Sequence, residues 1–319
     1  MRFGGFVPQG WRMDLVGVPV EQQWPTMRDV AHRLERSGFD SLWVYDHFHT
    51  VPEPTQEPTY ECWTLMAALA AATETIRLGQ MCTCNSYRNP AYMAKVASSV
   101  DVISGGRLEF AIGAGWYEHE YLAYGYEFPK ASVRIRQLGE AVRIIKHMWR
   151  DDEAHFEGEH YTVTGAINQP KSLQDPHPPM WIAGGGERMT LRLVAEEADY
   201  CNVAGDVDTY VHKMHVLDKH CEAVGRDPAT VGRTIHLESV VADAGDLGAA
   251  AARAAGQRGR NPEEWLSAGM TVAGTADQVI ETLAGYRDAG CEYFVMYFPD
   301  AAWGDTIERF AAEVVPALS

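Results

Sequence analysis

Positive charge is scarce in this sequence: 27 Lys and Arg face 44 Asp and Glu, for a formal net charge of −17. A chain so acidic has no sequence-independent attraction to phosphate backbones or anionic lipid, so nucleic acid and membrane surfaces are set aside as partners. No apolar stretch approaches the length needed to span a bilayer. The first ten residues, with Pro8, Gln9 and two early glycines, lack the basic segment and apolar run of a secretory leader, so the expected location is the cytoplasm. The six cysteines (Cys62, Cys82, Cys84, Cys201, Cys221 and Cys291) include no C-x-x-C pair. With 319 residues, 46% of them hydrophobic, the chain buries a core that needs no covalent staples, and these read as reduced, mostly buried thiols.

What is present is alternation. Short runs rich in β-branched and aromatic residues are separated by longer stretches at helical spacing, the pattern of parallel strands joined by crossover helices. Eight strands are predicted: Arg2–Val7, Ser41–Tyr45, Ile76–Cys82, Arg107–Ile112, Met180–Ala183, Tyr200–Val203, Thr234–Val240 and Tyr293–Tyr297. Most are unbroken apolar runs, as strands covered on both faces should be. Stripes such as Leu138, Val142, Ile145 and Trp149 mark helix faces that pack on the strands. Gly38 and Gly290 stand where left-handed helix caps are needed, and Thr275 with Gln278 fits a capping box. The fold class is therefore α/β, a (β/α)8 TIM-type barrel forming one domain over residues 1–319. Three insertions, near 50–60, 152–179 and 243–270, the second read as a hairpin followed by a Pro-rich return, are expected around the mouth where such barrels hold their chemistry.

The sharpest local feature is Tyr45-Asp46-His47-Phe48-His49, at the end of the second strand. A histidine there can move protons near neutral pH, and an adjoining carboxylate can hold it. The bland alternative is that Asp46 and His47 tie the loop down through neighbouring backbone groups. A metal bound by His47-x-His49 would need further histidines at later strand ends, where the chain offers Gly184 and Asn202, so no metal is expected. Cys82-x-Cys84 reads as core packing. Two glycine clusters, Gly113-Ala114-Gly115-Trp116 and Gly184-Gly185-Gly186-Glu187, follow the fourth and fifth strands. Neither completes the dinucleotide fingerprint G-x-G-x-x-G. Each could bring backbone N–H groups to a phosphate, or could merely permit a tight turn.

Five runs, taken in order, resemble the luciferase-like monooxygenase superfamily and its branch of coenzyme F420-dependent oxidoreductases. They are Trp43 to Phe48, Arg77 to Pro90, Ser104 to Leu108, Gly113 through Gly125, and Gly184 through Asp199. Beyond Thr234 the likeness is limited to helices and a final strand. The resemblance implies a cofactor ring across the barrel mouth, propped by a non-prolyl cis peptide at Met81–Cys82 with Thr83 beside it. It implies proton handling by His47, positioned by Asp46. It also implies phosphate binding at Gly184, Gly185, Gly186 and Glu187, with Gly115 and Trp116 flanking the pocket. The F420-dependent sugar-phosphate dehydrogenases carry a Glu where this chain has Trp116; an indole cannot donate a carboxylic proton, which argues for a different, apolar or aromatic substrate. Glu118 and Glu120 lie nearby but off that register.

The implied activity is hydride transfer between coenzyme F420 and a small organic molecule. FMN binds similar barrels, and with reduced FMN and oxygen the reaction would be a monooxygenation served by a separate reductase. Arg12, Arg88 or Arg188 could meet the anionic tail of F420. A non-catalytic flavin- or F420-binding protein is the alternative from another class, and relatives imply a homodimer.

Overall fold

The apolar runs form strands that close on themselves. In the computed structural model, which describes residues 1–318, the strands are β1 (Arg2–Phe6), β2 (Ser41–Val44), β3 (Arg77–Gln80), β4 (Thr83–Cys84) and β5 (Leu108–Gly113). They continue with β6 (Ala154–Glu157), β7 (Thr162–Ala166), β8 (Met180–Ala183), β9 (Tyr200–Val203), β10 (Gly232–Val241), β11 (Thr271–Gly274) and β12 (Tyr293–Tyr297). Hydrogen bonding runs β1-β2-β3-β5-β8-β9-β10-β12 and back to β1, all parallel, so eight strands make a closed barrel. The third predicted strand is split: the Met81–Cys82 peptide is cis, and the chain resumes as β4 against β5.

The helices around the barrel include α1 (Val20–Arg36), α2 (Cys62–Ala72), α3 (Pro90–Ser104), α4 (Glu118–Ala123) and α5 (Ala131–Arg150), then α6 (Thr190–Glu197), α7 (Val207–Val224), α8 (Leu247–Gly256), α9 (Pro262–Leu266) and α10 (Ala276–Asp288). Their apolar faces join the outward-facing strand residues in the large core between helices and barrel. The left-handed caps fall at Gly38 and Gly290, and Thr275 and Gln278 complete a capping box.

The barrel interior is a second, aromatic core that includes Phe6, Trp43, Tyr45, Trp181, Tyr293 and Tyr297. Trp43 fits because β3 offers Gly79 there: any Cβ at that position would run into the indole. The floor is held by Glu109, buried on β5, which takes Trp181 Nε1 at 2.7 Å and the guanidinium groups of Arg77 and Arg2.

The segment after α5 is the expected hairpin, β6 with β7, and its return is fastened by Asp101 of α3. That carboxylate accepts from Ser172 Oγ (2.6 Å), Leu173 N (2.8 Å) and Gln174 Nε2 (2.7 Å). The segment 243–270 folds into α8 and α9 and leads to β11, a strand absent from the sequence reading, which extends the outer end of β10 from the Glu238–Thr271 register onward.

Candidate active site

The loops leaving β1, β2 and β5 converge on one histidine. His47 lies three residues beyond β2, and the Trp11 indole from the loop after β1 stacks on its ring with centroids 4.1 Å apart and planes 2° from parallel. Trp116 approaches the same ring edge-on at 5.7 Å. His47 Nδ1 is 2.8 Å from Oε2 of Glu120 on α4. That carboxylate is fully buried and fully used: Oε1 accepts the backbone N–H groups of Phe48 (2.6 Å) and His49 (2.8 Å), and Oε2 also accepts Tyr87 Oη (2.8 Å).

Burial alone would raise the Glu120 carboxyl, but the hydrogen bonds from His47, His49 and Phe48 hold it below the usual carboxylate range. An ionised Glu120 only accepts, so Nδ1 of His47 carries the hydrogen in that bond. In the neutral ring Nε2 is then the free base, at the cavity wall that His47 lines.

Asp46 does something else. Its buried carboxylate accepts both terminal nitrogens of Arg88 (2.6 and 3.0 Å) and the N–H of Cys84 (2.8 Å). The expectation that it positions His47 is therefore corrected: Glu120, set aside in the sequence as off register, takes that place. The signal that could have found it is helical. A turn of helix starting beyond Tyr117 brings Glu120 and Tyr121 onto one buried face of α4. Arg88 is also corrected as a partner for a cofactor tail, because Asp46 and Glu61 occupy it. Arg188 remains exposed at the glycine turn.

The cavity beside His47 encloses about 400 Å³, within the span typical of small-molecule sites. Asp46, His47, Met81, Cys82, Gly115, Trp116, Gly184 and Gly185 all line it. Gly115 has φ +75°, and a Cβ there would collide with the Tyr121 hydroxyl and the Cys84 thiol, so this wall is built on a glycine. Three expected residues lie off the cavity. Thr83 is buried in β4. Gly186 lies in the turn that leads into α6. Glu187 faces α7, accepting Lys213 Nζ at 2.6 Å and His212 Nε2 at 3.1 Å.

Sequence reasoning missed two residues of β10: His236, which lines the cavity, and Glu238, which does not line it but holds Arg12, which does. Glu238 of β10 receives Arg12, Arg258 and Trp265 Nε1 (2.7 Å), the last two from the 243–270 insertion. Burial opposes its ionisation, yet Arg12 and Arg258 hold its carboxyl down at about 2. His236, two residues earlier on β10, is lowered to about 4 by burial and then by Arg12, and it is bonded through Nδ1 to Asn202 Oδ1 at 3.1 Å.

A luciferase-like monooxygenase family profile matches residues 1–293. The chain is 27% identical over 316 residues to the F420-dependent glucose-6-phosphate dehydrogenase of Kineococcus radiotolerans, covering 92% of each. It is 28% identical over 173 residues to the FMNH(2)-dependent dimethylsulfone monooxygenase of Pseudomonas putida, covering 54% of this chain and 47% of that one. Among solved structures, an F420-dependent secondary alcohol dehydrogenase in complex with an F420-acetone adduct superposes with a TM-score of 0.83 at 23% identity, covering 100% of this chain and 99% of that one, a likeness of fold. With the family profile spanning more than nine-tenths of the sequence and the barrel in place, this chain belongs to the luciferase-like monooxygenase family and is one of its oxidoreductases.

Proposed function

We propose that this enzyme is an F420-dependent oxidoreductase that moves a hydride between the deazaflavin and a small organic substrate. The observation that carries the reading is His47 at the cavity wall, held in place by Glu120. Removing a hydride from a carbon that bears a hydroxyl leaves the hydroxyl proton to be taken, and Nε2 of His47 is the base facing the cavity; in the reverse direction it returns the proton. Trp11 and Glu120 hold the ring in one orientation, so the proton is exchanged at one atom. Near-full-length similarity to relatives named F420-dependent supports the same choice, against a half-length match to an FMN enzyme.

The residues fit such a cofactor. Gly184, with φ +126°, opens a turn in which the N–H groups of Gly185 and Gly186 meet no acceptor among the described residues, ahead of the first turn of α6. An anionic group is received in such a place, and Arg188 is the cation exposed beside it. Met81, Cys82, Gly115 and Trp116 would flank the ring system. When bound, F420 supplies a carbon that accepts or donates a hydride.

The test is a titration of the purified protein with F420 and, separately, with FMN, followed by ligand fluorescence. Micromolar or tighter binding of F420 with much weaker binding of FMN is the expected result. Preference for FMN would replace the reading with an oxygen-using monooxygenase, and binding of neither would remove it.

A further inference from the structure

We infer that Arg12 is a substrate-recognition residue and that the molecule it recognises carries a carboxylate. The inference rests on the cavity being the reaction site proposed above and adds the chemistry of what enters it.

Arg12 leaves the loop after β1 and reaches the cavity wall, where 94% of it is withdrawn from solvent. Its guanidinium lies over three aromatic rings, with centroid distances of 5.2 Å to Trp11, 5.0 Å to Tyr45 and 4.5 Å to Tyr297. This packing fixes the group in place. Its hydrogen bonding, however, is incomplete. A guanidinium has five N–H donors. Among the described residues Arg12 makes one hydrogen bond, from Nη1 to Glu238, and the buried Nε–H has no acceptor.

Glu238 cannot satisfy the rest, because its oxygens also serve Arg258 and Trp265. Asp14 is nearby, but its oxygens accept Gln9 N, Gly10 N and Tyr297 Oη. Unmet donors on a buried cation are expensive unless a ligand meets them. The rest of the cavity supplies no acid to compete. Its one lining carboxylate is Asp46, neutralised by Arg88, whereas Arg134 adds a second guanidinium with an unpartnered Nε–H. Two cations with unused donors therefore line a cavity inside a chain of net charge −17, so the local sign is not inherited from the overall charge. A carboxylate is the planar oxyanion that a guanidinium meets best, and the Trp11 and Trp116 walls suit an apolar or aromatic body behind it.

The test compares benzoate with benzamide, an uncharged probe of the same shape, by calorimetry on the full chain with and without F420. At least tenfold tighter binding of benzoate is expected, with the preference lost in Arg12→Gln and kept in Arg134→Gln. Equal binding of the two probes to the unmodified protein overturns the inference without any variant having to fold. A preference that survives Arg12→Gln or disappears only in Arg134→Gln also overturns it. So does a tenfold loss of F420 affinity in Arg12→Gln with the benzoate preference intact, since the oxyanion served by Arg12 would then be the cofactor's own. Because the probes are also titrated without F420, failure of the cofactor reading shows separately, as no F420 binding beside an intact benzoate preference.

Discussion

At the scale of the residue, Glu120→Gln and Asp46→Asn should fail in different ways. A glutamine at position 120 keeps an oxygen for the N–H groups of Phe48 and His49, which turns its NH₂ toward His47 Nδ1. Nδ1 must then accept, the ring hydrogen moves to Nε2, and the base facing the cavity is lost. Turnover should drop roughly 10²-fold, the lower end for a lost general base, while F420 affinity from fluorescence titration stays within about threefold, since the ring still stands in place. Asp46→Asn instead removes one charge of a buried ion pair with Arg88. Thermal or urea unfolding should show a loss of about 1–3 kcal/mol, short of the range for a fully stranded charge because Glu61 still pairs with Arg88. If the two variants behaved alike, the separation of a positioning carboxylate from a structural one would be wrong. Sequence showed His47 because a titrating side chain at a strand end is visible in one dimension. The partner was not visible, because Asp46 is adjacent in the chain, whereas Glu120 reaches His47 across 73 residues and only after α4 has turned.

At the scale of the element, the insertion of α8 and α9 is gripped by one strand residue. Arg258 and Trp265 both bond Glu238, so the element's hold on the barrel depends on that carboxylate being charged. Its folded value, about 2, lies below the ordinary 4.5, so the unfolded chain takes up the proton first. The contribution is therefore complete above about 4.5 and lost as the pH falls toward 2. His236 acts in the same direction from a higher start, with a folded value of about 4 against an ordinary 6.5. Limited proteolysis should show cleavage within 243–270 rising on acidification before the barrel unfolds, and Glu238→Gln should bring that cleavage to neutral pH. Cleavage independent of pH, or first in the hairpin of β6 and β7, would refute it. The hairpin was legible in the sequence and β11 was not, for a physical reason. Thr271-Val272-Ala273-Gly274 is short, half-buried, and pairs only with the outer end of β10. It has neither the apolar run of a barrel strand nor a turn that announces it.

At the scale of the whole molecule, the barrel separates stability from chemistry along its axis. The eight strands were legible because burial on both faces writes them as apolar runs. The contents of the barrel were not, since residues such as Glu109 and Trp181 meet only after closure. Glu109 at the floor joins β5 to β8, β3 and β1 through Trp181, Arg77 and Arg2, whereas His47 at the mouth belongs to loops. Two variants measured side by side, each by thermal midpoint and by turnover, test whether the ends are independent. Glu109→Ala leaves the buried Trp181 N–H unpaired and takes the shared carboxylate from Arg77 and Arg2; the unmet buried donor should cost about 1–3 kcal/mol, lowering the midpoint by a few degrees while leaving turnover per folded molecule within about twofold. His47→Ala should instead remove most turnover, and its effect on the midpoint should not exceed the roughly 1–3 kcal/mol of one lost bond to the buried Glu120 carboxylate, because its ring stands at the rim and bears no load between strands. Were Glu109→Ala to depress turnover as strongly as stability, the aromatic column of Trp43, Trp181 and Tyr293 that fills the barrel would have to transmit floor geometry to the mouth. The barrel would then act as one rigid body rather than as a scaffold with a replaceable rim.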